Sequence, residues 1–147
     1  MNSTNQGLPS IHPLERVLCL SAAVACDAIT ILLWQRVSLF QPIWPLPAMY
    51  FIELVLLTAA AATWFLSGRL GGVIVLWVVT GVLAGFCILG SFSVGFIYWP
   101  ITLLFLAAAA ISEWRSQTPF GPHLAICLFA ATAQAAVMLG IIRLMYP

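Results

Sequence analysis

Charged residues are scarce in this sequence, and lysine is absent altogether. Only 6 % of the 147 residues are charged, against about 25 % in soluble domains, while 63 % are hydrophobic. A water-soluble core cannot absorb so much apolar surface, so the composition predicts an integral membrane protein. The five basic residues are arginines spread along the chain, which excludes the clustered basic patch of a nucleic-acid-binding protein.

The familiar motifs of enzymes and metal proteins are also missing. The sequence has no CxxC pair, no GxSxG or HExxH motif and no glycine-rich phosphate loop. His123 and Cys127 share one helical face, but a metal site needs more ligands than these two. The loops are too short to build a soluble catalytic cap. We therefore expect a protein that is not an enzyme and that holds no cofactor and no metal.

Five apolar runs are each long enough for a transmembrane helix, which needs about 20 residues. They cover residues 14–34, 46–66, 70–89, 96–112 and 122–144. The sequence therefore predicts an all-α integral membrane bundle of five transmembrane helices, in a single domain over residues 1–147. The alternative is a bundle of four transmembrane helices in which the run 96–112 is a re-entrant segment.

The arginines give a weak signal for the orientation of the chain. Five spans place the two termini on opposite sides of the membrane. Arg16, Arg69 and Arg115 fall on the side of the N-terminus, and Arg36 and Arg143 fall on the other side. Because loops rich in basic residues stay inside, this distribution favours a cytoplasmic N-terminus in a bacterial inner membrane.

Four polar residues lie well inside the apolar runs. Asp27 is seven residues from the end of the first run and Glu53 is seven residues into the second, so each lies about 10 Å below the same surface. Thr102 has a similar depth in the fourth run, and Gln134 lies about 15 Å deep in the fifth. The sequence therefore predicts one intramembrane polar layer in the outer half of the bundle.

This polar layer admits several interpretations. Buried acids in membranes serve as ion or proton sites, as hydrogen-bonded contacts between helices or subunits, or as contacts to a cofactor. Arg36 or Arg143 could reach inward from the membrane surface as a charge partner, or a partner subunit could supply the cation. The structural or subunit contact is the leading interpretation, and a proton- or ion-coupled transporter or channel using Asp27 and Glu53 is the alternative.

Small residues spaced four apart predict where helices approach closely. Gly81 and Gly85 form a GxxxG motif in the third run, and Ala136 and Gly140 form an equivalent pair in the fifth. Because lipid gives helices no hydrophobic reason to associate, such small residues mark helix-packing surfaces. The spacing does not say whether the partner helix belongs to the same chain.

The sequence supports no family assignment. The aromatic and proline-rich stretch 34–50 resembles the first loop of the tryptophan-rich sensory (translocator) family, but the asparagine-rich aromatic pattern of that family's later spans is missing. We therefore expect a small accessory or structural subunit that packs against other membrane subunits or against itself, in contact with membrane lipids and with no nucleic acid. Binding of a lipid, quinone or pigment between helices is a further alternative.

Overall fold

The computed structural model of the chain consists of helices joined by short turns. The structure describes residues 12–39, 46–68, 71–90, 94–117 and 119–145. No strand occurs within these ranges, which confirms the all-α prediction. In chain order the elements are α1 (Pro13–Ser38), α2 (Leu46–Leu66), α3 (Gly72–Leu89), a 3-10 turn (Gly95–Tyr98), α4 (Trp99–Ser116) and α5 (Phe120–Met145).

All five of these described helices are long and apolar enough to cross a membrane. The fourth reaches this length because the 3-10 turn leads directly into α4, giving 22 continuous residues from Gly95 to Ser116. Its end lies beyond residue 112, where the apolar run in the sequence stops. Arg69, one of the arginines used for the orientation, lies outside the described residues.

Local sequence explains where two of the helices begin and end. Pro13 occupies the first turn of α1, where its missing N–H is not needed, and His12 caps the helix by accepting a hydrogen bond from the backbone N–H of Leu14. Gln117 closes α4 with a left-handed backbone, at a φ of 51°.

Helix α3 lies at the centre of the bundle. It packs against α2, α4 and α5, while α1 packs against α2 and α4. The first four helices therefore form a closed group, and α5 is attached to it mainly through α3. Of the five helices, α3 is the most enclosed and α5 the least.

The GxxxG motif provides the contact between α3 and α5. A Cβ atom added to Gly81 would overlap the carbonyl oxygen of Cys127, and one added to Gly85 would lie 2.7 Å from the carbonyl oxygen of Ala131. Only glycine allows the two backbones to come this close. The partner of this motif is therefore a helix of the same chain.

A buried tyrosine ties the 3-10 turn to the rest of the bundle. Tyr98 is completely buried, and its hydroxyl lies 2.8 Å from the hydroxyl of Thr30 on α1. Its ring meets the ring of Phe86 on α3 edge to face, at a centroid distance of 5.3 Å. This arrangement is the favoured one for aromatic pairs, and it fixes α1, α3 and the start of α4 relative to one another.

Candidate functional site

Asp27 forms a contact between α1 and α2. The hydroxyl of Thr58, which is completely buried, donates to Asp27 Oδ1 at 2.9 Å and also lies 2.8 Å from the carbonyl oxygen of Leu54. A hydroxyl has one proton to donate, so these two acceptors share it with the carbonyl oxygen of Val55, which lies 3.3 Å away. The carboxyl group is half-buried where the two helices meet.

Glu53 forms a contact between α2 and α5, two helices that both pack on α3 but are not close neighbours. The side-chain amide of Gln134 donates to Glu53 Oε2 at 3.1 Å. Gln134 is buried beside Gly85, whereas Glu53 is half-buried. The absence of a side chain at Gly85 thus leaves room for Gln134 to reach α2.

Thr102 belongs to neither of these contacts. Its hydroxyl donates to the carbonyl oxygen of Tyr98 at 3.0 Å and lies 3.4 Å from Cys87 Sγ. Of the four residues in the predicted polar layer, the structure thus brings together Glu53 and Gln134, and it places Asp27 and Thr102 in two other contacts.

Arg36 and Arg143, the two possible charge partners, are exposed. Among the residues that the structure describes, neither arginine forms an ion pair with an acid. Insertion scales give about 2.5–3.5 kcal/mol for a charged residue at the helix centre. A hydrogen bond between membrane helices is worth about 0.6 kcal/mol on average. One neutral hydrogen bond therefore offsets only part of the cost of Asp27 or Glu53.

The best-buried acid of the chain lies elsewhere, at the other end of the bundle. Glu15, in the first turn of α1, is completely buried and forms an ion pair with Arg115 at the end of α4. The Nε–Oε1 distance is 3.1 Å, and Nη2 donates to Oε2 at 3.2 Å. In the sequence both residues flank apolar runs and look like surface groups, so their pairing depends on how α1 packs on α4.

A second buried acid, Glu113, lies two residues before Arg115. His123 Nδ1 on α5 is 2.9 Å from Glu113 Oε1, and the Glu113 side chain is 2 % exposed. With Glu113 ionised, the Nδ1–H group donates to the carboxylate. The sequence assigns Glu113 to a polar loop and His123 to the start of a helix. The only sequence signal for this pair is that both residues lie close to the connection between the fourth and fifth runs.

The two pairs of small residues have different environments. Gly81 and Gly85 are buried against α5. Ala136 and Gly140 are exposed, and a Cβ atom added to Gly140 would meet nothing within 4 Å. Within the described part of the chain, no helix covers this face of α5.

An apolar groove runs between α1 and α2 in the same half of the bundle as Asp27. Its volume is about 340 Å³. The rings of Trp34 and Phe51 lie 6.1 Å apart at this groove. The lining consists almost entirely of apolar side chains, with polar groups contributed by two residues. The lining residues are Thr30, Ile31, Trp34, Gln35, Phe51, Ile52, Val55 and Leu56.

The chemistry of the described residues does not include a metal site. No group of three or more histidine, cysteine, aspartate or glutamate side chains in these ranges could hold a metal ion. No model of a known protein family matches the sequence, and no curated protein or solved structure matches it. The function must therefore be inferred from the geometry of the chain itself.

Proposed function

We propose that this protein is a small structural or accessory subunit of a membrane assembly, without enzymatic activity. The observation that carries this proposal is the face of α5 that points away from α3. Four small side chains lie along that face, with the exposed ring of Phe129 between the first and the second, and all four are exposed in the isolated chain. They are Ala125, Thr132, Ala136 and Gly140.

The spacing of these residues supports a helix-packing role. At 3.6 residues per turn they form one stripe along α5, on the side opposite the contact with Gly81 and Gly85. In membranes, small side chains let two helix backbones approach closely, and packing then replaces the missing hydrophobic force. Helix α5 therefore has two packing faces, of which α3 covers one.

The test is to place a bulky side chain on this stripe. Ala136→Leu should prevent a neighbouring helix from approaching, because leucine fills the space that alanine leaves open. Ala60→Leu is the matched control, since Ala60 is equally exposed but lies on α2. The measurement is the size of the particle that each tagged variant forms after extraction from native membranes in mild detergent.

We expect the wild-type chain and Ala60→Leu to remain in a larger particle and Ala136→Leu to be released from it. Release of both variants to the same degree would show that α5 has no special role. A wild-type protein that is extracted as a single chain would contradict the proposed function itself.

The groove between α1 and α2 favours a second candidate function, the binding of a lipid or isoprenoid chain. Its apolar lining suits a hydrocarbon chain, and the rings of Trp34 and Phe51 offer flat contact surfaces. Val55→Phe should fill the groove and reduce the lipid retained in native mass spectrometry. Val24→Phe, on an exposed part of α1 outside the groove, is the control and should retain it.

The proposed location is a bacterial inner membrane, with the N-terminus in the cytoplasm. The support is the arginine distribution, with three arginines on the side of the N-terminus and two on the other. All four native cysteines are buried, so introduced cysteines can report the orientation. In intact cells, a reagent that does not cross the membrane should label Ser38→Cys and not Gln117→Cys; the reverse pattern would invert the orientation.

A further inference from the structure

We infer that Glu53 is the contact point for a basic side chain on a transmembrane helix of a different protein. This inference rests on the proposed assembly function and names the chemistry of the partner. It follows from what surrounds Glu53, from where the chain's own basic residues lie, and from the contrast with Asp27.

The carboxyl group of Glu53 accepts one hydrogen bond within the described chain, and the buried hydroxyl of Tyr50 on the same helix lies close enough to interact with its charge. Oε2 accepts a hydrogen bond from the neutral amide of Gln134. Oε1 accepts none, yet it is not among the polar atoms sealed inside the bundle without a partner. It therefore keeps some exposed surface, as does the second oxygen of Asp27, which also accepts no hydrogen bond. Because α2 and α5 are not close neighbours, Glu53 lies at an open edge where another helix can approach.

A second copy of this chain cannot supply the missing cation at that depth. The sequence has no lysine, and the arginines and histidines among the described residues all lie at helix ends. Arg143 is nine residues beyond Gln134, so it lies about 13 Å further along α5 than the Glu53 contact. If the copies are related by an axis along the membrane normal, each residue has the same depth in every copy. An inverted copy would also place its arginines near a membrane surface. The partner is therefore a different protein.

Asp27 and Glu53 lie in different surroundings, and this difference points to Glu53 as the acid that contacts the partner. The Asp27 carboxyl lies where α1 and α2 pack together and bonds to a completely buried hydroxyl. Glu53 instead bridges two helices across a gap. Acids within membrane spans are paired, face the bundle interior or line a wet cavity, so an acid at an open edge calls for an external partner. A basic side chain provides the complementary charge.

The experiment compares tagged wild-type chain with Glu53→Gln and Asp27→Asn, each purified from native membranes and analysed by mass spectrometry. Both substitutions remove a carboxylate of similar depth and keep its shape. We expect Glu53→Gln to reduce the co-purified partner about tenfold or more, because it leaves the partner's charge without its counterion. Asp27→Asn should retain the partner. Circular dichroism checks that both variants keep the helical fold.

A charge exchange completes the test. The retained partner should carry an arginine, lysine or histidine inside one of its spans. When that residue of the partner is replaced by glutamate, the partner should bind the Glu53→Lys variant of this chain and should not bind the wild-type chain.

Two results would overturn the inference while leaving the assembly function intact. In the first, Glu53→Gln retains the partner as well as wild type does. In the second, the particle contains only copies of this chain. If the wild-type chain is recovered alone, the assembly function and the inference fail together.

Discussion

At the scale of single residues, the four acids differ in their partners between the two ends of the bundle. Glu15 and Glu113 have basic partners and are almost completely buried. Asp27 and Glu53 have neutral partners and are half-buried. The first two acids hold α1, α4 and α5 together at one end. Asp27 and Glu53 each have one carboxyl oxygen without a hydrogen-bond partner among the described residues, and Glu53 alone bonds to a helix, α5, that is not packed closely against its own.

The Glu15–Arg115 pair gives a stability prediction with a definite asymmetry. Arg115→Gln leaves a completely buried carboxylate without its cation, so it should lower the free energy of unfolding by about 1–3 kcal/mol or more. Glu15→Gln should cost less, because the Arg115 side chain is 37 % exposed and can turn toward water. Unfolding in detergent with a chemical denaturant measures both.

The double variant Glu15→Gln/Arg115→Gln is the control for this asymmetry. It should be more stable than Arg115→Gln alone, because no buried charge remains. Equal losses for the two single variants, or a double variant that is the least stable, would show that the pair does not act through charge.

The contacts of individual polar side chains are the feature that the sequence predicts least well. The prediction of the polar layer uses the depth of each residue along its helix, and depth is only a position along an axis. It does not say which way a side chain faces. Glu53 and Gln134 face each other because α2 and α5 flank α3. Thr102 faces Cys87 instead. The direction in which a side chain faces depends on how its helix is rotated about its own axis. Uniformly apolar runs do not indicate this rotation.

At the scale of helices, the packing of α5 on α3 is the contact most sensitive to size. Gly81→Ala should destabilise the fold by about 1–3 kcal/mol, because its Cβ atom would overlap the backbone of α5. Gly140→Ala is the control, since its Cβ atom would meet nothing within 4 Å. Thermal unfolding of the two variants in the same detergent compares them.

A loss of stability for Gly140→Ala equal to that for Gly81→Ala would mean that helix propensity or lipid contact, rather than the α3–α5 interface, governs both positions. The sequence predicted that both pairs of small residues pack against helices, and for Gly81 and Gly85 the structure identifies the partner as α5. For Ala136 and Gly140 the packing role stays a prediction, because their face of α5 is exposed.

The five helices are readily predicted from the sequence. In a chain with so little charge, an apolar run long enough to cross the membrane has few alternatives to a transmembrane helix. The end of α4 was harder. The charged residues after 112 resemble a loop in the sequence, but Glu113 and Arg115 find partners on α5 and α1, so the helix continues to Ser116. A helix end set by tertiary contacts cannot be derived from local polarity.

At the scale of the whole molecule, the bundle is asymmetric. Helices α1 to α4 pack in a closed ring, whereas α5 packs mainly on α3 and exposes small residues on its opposite face. Glu53 lies at the open edge between α2 and α5. The proposed assembly function uses both features as contact surfaces for neighbouring helices.

The most direct test of the assembly function is to excise the tagged chain from its native membrane with a lipid-solubilising polymer, without detergent, and to measure the mass of the protein in each particle. The assembly function predicts more than one transmembrane protein per particle for wild type, and a single chain for Ala136→Leu. Particles that contain a single chain of the wild-type protein would contradict it.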